Sequence, residues 1–229
     1  MEILYEDNHL LIVNKLPGEI VQGDKTGDRT LGDEAKHYLK ERYDKPGAVF
    51  LGVAHRLDRP VSGVVVFART SKALARLCEM FRTGRVKKTY HAIVGNPPTE
   101  PAATLTHWVT RNERQNKSYA HPREIPGSKK AVLDYAVIGH SDRYTLLSVN
   151  LHTGRHHQIR CQLAAIGCPV KGDLKYGAPR SNPDGSICLH ARHIEFEHPV
   201  SHETLSVTAP YPATLPLWQM FDTSNESQQ

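Results

Sequence analysis

Short apolar runs alternate with turn-forming clusters along this chain, and only a few stretches carry helical spacing. Leu10-Leu11-Ile12-Val13 follows the turn Glu6-Asp7-Asn8 and predicts an N-terminal hairpin. Residues 30–43 read as a helix, with Thr30 as N-cap and Asp33 at the capping-box position, where Glu or Gln is more usual. Ser71 is expected to cap a second helix. Its apolar side is Leu74, Leu77, Cys78 and Phe81, at i, i+3, i+4 and i+7, and Gly84 ends it. Lys88–Val94 predicts a strand, broken by Asn96-Pro97-Pro98, and strand pattern returns at Thr104–Thr110, Val132–Ile138 and Tyr144–Leu151. Gln158–Ile166 reads as a short helix entered through the glycine turn at Gly154. Residues 171–186 read as a loop, and Ile187–Glu197 and Thr204–Thr208 as late strands. Mixed elements with mostly consecutive strands predict an α+β fold with a largely antiparallel mixed sheet flanked by helices and loops. One domain over 1–221 is expected, and the polar tail 222–229 is expected to be disordered.

Composition narrows the class. The apolar runs stop at about six residues, far below the roughly 20 that span a bilayer. Met1–Asp7 enters strand pattern directly, with no basic segment, apolar stretch or cleavage site of a signal peptide. Cys78, Cys161, Cys168 and Cys188 form no CxxC spacing, so reduced thiols in a cytoplasmic setting are expected. The net charge is +5, which alone is a mild push toward polyanions. Its placement says more. Residues 111–130 hold Arg111, Arg114, Lys117, Arg123, Lys129 and Lys130 against Glu113 and Glu124, a local charge of +4. Rich in Asn, Gln, Ser, Pro and Gly, this segment is expected to be an extended loop that touches phosphates; a merely solvated loop is the alternative.

The candidate chemistry sits in three places. In Ala54-His55-Arg56-Leu57-Asp58-Arg59-Pro60-Val61-Ser62-Gly63 a carboxylate lies between two arginines on a loop ahead of the strand Val64–Ala68. Such a carboxylate stays ionised, suited to act as a nucleophile or to stabilise a cation rather than as a general acid. In His152-Thr153-Gly154-Arg155-His156-His157-Gln158-Ile159-Arg160, donors crowd the start of a helix after a glycine bend, which favours an anion. Tyr90, in Lys87-Lys88-Thr89-Tyr90-His91, pairs an aromatic ring with cations, which suits base stacking or a plain strand position. Fourteen histidines invite a metal reading. No HExxH is present, and adjacent His156 and His157 cannot share a helix face, so no metal is expected.

Together these segments resemble the RluA-type pseudouridine synthases. Asn8–Gly18 is similar to their opening segment, His55-Arg56-Leu57-Asp58 with Ser62-Gly63 to their catalytic motif, and Lys88-Thr89-Tyr90 to their tyrosine motif. Gly154–Arg160 resembles the third motif. Gly172-Asp173 with Tyr176-Gly177, and Leu189-His190-Ala191 with His198-Pro199, resemble later segments. The likeness runs in order from about residue 3 to 212. Two positions depart from the pattern: Val61 and His156 stand where threonine is usual. A basic RNA-binding domain common among such proteins is expected to be missing, since the pattern begins at residue 3.

The resemblance implies an isomerase that breaks the C1′–N1 bond of uridine and joins C5 to C1′ in a stem-loop of ribosomal or transfer RNA. It needs no cofactor, and a monomer is expected. It implies Asp58 as the catalytic carboxylate, whether nucleophile or proton-abstracting base, Arg160 as its ion-pair partner, and Tyr90 against the target base. Arg56 would fill the gap left by the flipped uridine. His55, Arg155, His157 and Gln158 are expected to bind substrate, and Arg111, Arg114 and Lys117 to grip backbone phosphates. A non-catalytic RNA-binding or ribosome-assembly factor on the same fold is the rival from another class; a nucleosidase is the second.

Overall fold

A computed structural model describes residues 1–23 and 27–222, so the tail expected to be disordered lies, beyond Asp222, outside the described residues. In chain order the elements are β1 (Glu2–Glu6), β2 (Leu10–Lys15), α1 (Leu31–Arg42), β3 (Gly52–Val53), β4 (Ser62–Ala68), α2 (Ser71–Arg82), β5 (Lys87–Val94), β6 (Ala102–Asn112), β7 (Lys117–His121), β8 (Lys129–His140), β9 (Thr145–Leu151), α3 (Gln158–Ala165), β10 (Leu189–Glu197) and β11 (Thr204–Thr208). Short 3-10 turns lie at Leu174–Tyr176 and Pro216–Phe221. The chain divides into two compact units. The first is Met1–Lys88 with Ala191–Pro210; the second is Thr89–His190 with the described residues from Tyr211 onward.

In the first unit the strand order is β1-β2-β4-β10, with β3 on β4 and β11 on β10. The N-terminal hairpin and the β2·β4, β3·β4 and β10·β11 pairs are antiparallel. β2 and β4 are buried along their whole lengths. That is why they read as unbroken apolar runs rather than as alternation. Leu10, Ile12, Val64 and Val66 pack with Ala73, Leu77 and Met80 of α2 and with Ile194, Phe196 and Val207. The capping box of α1 is complete: Asp33 N donates to Thr30 Oγ1 at 3.0 Å, and Thr30 N to Asp33 Oδ2 at 3.1 Å. At α2 the cap is Thr70, whose Oγ1 accepts from Ala73 N at 3.2 Å, and not Ser71. Thr70 and Ser71 are both competent caps, and Thr70 is the one in extended backbone (φ −136°).

Gly63, the second residue of β4, has φ +114°, and a Cβ there would lie 2.3 Å from Ala191 O and 2.6 Å from Ala191 N. Only hydrogen fits between these backbones. Gly63→Ala is therefore expected to cost at least about 2 kcal/mol of stability, read as a lowered urea midpoint at unchanged slope.

The second unit is a five-stranded stretch in the order β5-β9-β8-β6-β7, antiparallel throughout. Here the expectation of an extended basic loop over 111–130 is corrected. β6 runs on to Asn112, β7 pairs back on it from Asn112↔Lys117 to Trp108↔His121, and β8 begins at Lys129. The segment is a basic hairpin, and only residues 122–128 remain a loop. β7 is the last strand in the order. An edge strand needs few apolar residues and tolerates lysine, which hides it from a hydrophobicity pattern. Beneath it, Val109, Ala131, Cys161 and Tyr176 form a small core with α3.

Candidate active site

In the first unit Asp58 sits on the turn between β3 and β4. Val61 N–H donates to Asp58 O at 3.0 Å and closes four residues around Pro60. The end of β2 holds this turn. Lys15 is fully buried, and its Nζ donates to Val61 O at 2.6 Å, Leu16 O at 3.0 Å and Arg59 O at 3.1 Å. Gly18 N donates to Arg59 O at 2.8 Å, Arg59 Nε to Gly18 O at 3.1 Å, and Arg59 pairs with Asp28 at 3.0 Å. Burial pulls the Lys15 ammonium down to about 8 against the charges of Glu19 and Asp58, which favour its proton. At neutral pH it stays a cation within the field of Asp58. Arg56 is exposed.

His55 faces inward from the same loop. Its Nε2 accepts from Val66 N at 2.9 Å, and its ring stacks on Phe81 with centroids 4.6 Å apart. Loss of solvent, with the nearby Lys88 charge, depresses it to about 3, so it is neutral. The unfolded chain takes up this proton near 6.5 and the folded one does not. His55 therefore contributes stability that is present above pH 6.5 and is lost as the pH falls toward 3. Urea midpoints should drop between pH 6.5 and 5 in the wild type and stay flatter in His55→Gln, whose amide oxygen can still accept from Val66.

In the second unit Tyr90 lies on β5 opposite Val149, half-buried. α3 starts at His157, which caps the helix in the left-handed region at φ 51°. Gln158 braces the entry loop. Its Oε1 accepts from Thr153 Oγ1 at 2.8 Å and Arg155 N at 2.9 Å, and its Nε2 donates to Val132 O at 3.1 Å. Arg155 is exposed, with Nε on Lys130 O at 3.0 Å. Arg160 is buried in a fork: Nε to Asp173 Oδ2 at 2.7 Å and Nη2 to Asp173 Oδ1 at 2.9 Å. Its Nη1 meets His157 Nε2 at 3.0 Å, and the guanidinium lies 5.0 Å from the centre of the Tyr176 ring. Facing an N–H donor, His157 Nε2 carries the lone pair. Nδ1 then donates to Tyr176 Oη at 2.8 Å, an oxygen that also accepts from Ser118 N at 2.8 Å.

Arg111 and Arg114 are exposed on the hairpin, and Lys117 Nζ hangs over the rings of Tyr119 and Tyr176, at 5.5 and 5.2 Å. The second unit thus joins Arg160, His157 and Gln158 around the start of α3. Lys15, Asp173 and Tyr176 fall inside segments that resemble the family, but the sequence assigned them no role. The available signals were a lysine closing an otherwise apolar strand, and an Asp and a Tyr inside glycine turns. Among the described residues no group of three or more His, Cys, Asp or Glu could hold a metal ion, and no helix is long and apolar enough to cross a membrane.

A family model described as RNA pseudouridylate synthase matches residues 9–165. The chain belongs to that family. Its members are isomerases that convert uridine to pseudouridine in RNA. An uncharacterized RNA pseudouridine synthase of Chlorobaculum parvum is 33% identical over 94% of this chain and 72% of its own length. Ribosomal large subunit pseudouridine synthase D of Yersinia pestis is 31% identical over 87% of this chain and 64% of its own. Among solved structures, human RNA pseudouridylate synthase domain containing 4 superposes with a TM-score of 0.77 at 25% identity, covering 93% of this chain and 89% of the other. The domain containing 1 protein gives 0.73 at 26%, covering 94% and 85%. The α+β fold expected from the sequence is that of these pseudouridylate synthases.

Proposed function

We propose that the chain isomerises uridine within structured ribosomal RNA, as a monomer in the cytoplasm, with Asp58 as the reacting carboxylate. The observation that carries this is the Asp58 turn. A buried ammonium, bonded to the carbonyls of Leu16, Arg59 and Val61, holds the turn that carries this carboxylate and lies within its field. Breaking C1′–N1 builds positive charge on the ribose and leaves uracil as an anion. Asp58 answers the first, either by attacking C1′, in a bond that breaks again when C5 bonds there, or by taking a proton from C2′ that it later returns. The uracil turns, C5 bonds to C1′, the C5 proton departs, and N1 ends protonated, so the reaction needs no water and no second carboxyl.

In this reading Arg160 is the catalytic cation, and Tyr90 packs on the base. Exposed Arg56 occupies the gap left by the extruded nucleotide, at a flipping cost of a few kcal/mol. Arg111, Arg114, Lys117 and Arg155 meet phosphates, while His55, His157 and Gln158 shape the surfaces that do so. The ribosomal target follows from the large subunit relatives, and transfer RNA is the other substrate to be scored. The test is carbodiimide mapping of pseudouridines in total RNA from cells with and without the gene. Loss of one or more ribosomal sites is expected. An unchanged map would favour a binding factor, and free uracil in the purified reaction would favour a nucleosidase.

A further inference from the structure

His156 stands where the family pattern carries threonine, and nothing above gives it a task. Its ring stacks on His157 with centroids 3.8 Å and planes 22° apart. Nδ1 lies 2.8 Å from Ser118 Oγ, and Nε2 lies 3.1 Å from Asn116 Oδ1. Facing a carbonyl oxygen, Nε2 carries the proton, and Nδ1 accepts from the serine hydroxyl. Asn116 turns the hairpin between β6 and β7 in the left-handed region (φ 45°), and Ser118 is buried on β7. One ring therefore ties the turn of the basic hairpin to the start of α3.

Two further bonds land on the same hairpin: Ser118 N–H on Tyr176 Oη, and Lys175 Nζ on Asn116 O at 3.1 Å. Through Tyr176 and His157 the chain of bonds reaches Arg160 Nη1. A threonine at 156 offers one hydroxyl on a short stem. It could not bridge Asn116 and Ser118 together, and it has no ring to stack.

We propose that His156 is a positioning residue for RNA. It fixes the β6–β7 hairpin on α3, so that a backbone gripped by Arg111, Arg114 and Lys117 is held in register with Arg160. The inference rests on the reading that the hairpin cations meet RNA phosphates. Without the strut the hairpin end samples other positions, and apparent affinity falls with the fraction that is in place. Arg160 keeps both bonds to Asp173, so turnover at saturating RNA holds.

The test takes His156→Thr and Asn116→Gly through two measurements. The first is hydrogen exchange on the free protein. Amides of 113–119 should exchange about tenfold faster in His156→Thr, while those of α3 stay unchanged. The second is tritium release from ribosomal RNA labelled at uracil C5. KM should rise about tenfold in His156→Thr, with kcat within about twofold. Asn116→Gly removes the Oδ1 acceptor of the Nε2 bond and keeps the left-handed backbone of the turn; it should move both readouts the same way, and it carries the test if His156→Thr fails to fold. Unchanged exchange would overturn the strut. Faster exchange at unchanged KM, or a loss in kcat alone, would overturn its link to RNA. A wild type that releases no tritium would overturn the isomerase reading instead, and the exchange result would then decide the strut alone.

Discussion

Asp58→Asn is expected to fold, to bind RNA, and to lose isomerisation by at least about 10⁴-fold, some 5.5 kcal/mol on the barrier. The substitution keeps shape and volume and removes one charge. The turn survives because it is held by backbone groups. Val61 N–H reaches the Asp58 carbonyl, and Lys15 binds the carbonyls of Leu16, Arg59 and Val61. None of these bonds uses the carboxylate. On the proposed reading RNA affinity survives, since its main source is cations meeting phosphates, most of them far along the sequence from Asp58. What disappears is the charge proposed to meet the one that develops at C1′. Three measurements separate the outcomes: the urea midpoint, filter binding to ribosomal RNA across salt, and tritium release. Turnover near the wild-type rate would remove Asp58 from the mechanism. A loss of binding equal to the loss of turnover would make it a recognition group.

How much of this could be read along the sequence differs by residue, for physical reasons. β11 falls on Thr204–Thr208 as expected, and the α1 capping box falls on Thr30 and Asp33, because alternation and capping are local. The second cap slips by one residue, since Thr70 and Ser71 compete and backbone geometry chooses. The basic hairpin was unreadable because an edge strand has little apolar face to impose a period. Asp58 was legible as a carboxylate on a loop, since its neighbours in sequence define the turn. Lys15 was not. A charged side chain at the end of an apolar strand looks solvated until three carbonyls, two of them more than forty residues away, supply its acceptors. Asp173 was legible as part of a glycine segment, but its task was not: thirteen residues and a glycine bend separate it from the guanidinium it holds.

That guanidinium carries the second large effect. Asp173→Ala is expected to cost about 3–5 kcal/mol of stability, because it takes the acceptors from two N–H donors of a buried cation. Folding free energies of single domains are about 5–15 kcal/mol, so the variant should fold with a much lower urea midpoint. Activity should fall further than folding explains, since Arg160 loses the fork that sets its direction. The two effects can be parted. Replacing both partners, as in Arg160→Met with Asp173→Leu, removes the buried charge along with its acceptor, and such exchanges are often neutral or stabilising. The double variant should therefore recover most of the midpoint and none of the turnover. Additive losses of stability would mean that the two side chains do not act as a pair. Recovered turnover with methionine at 160 would show that the fork is scaffold alone and that Arg160 takes no part in the reaction, leaving Lys15 as the cation in the field of Asp58.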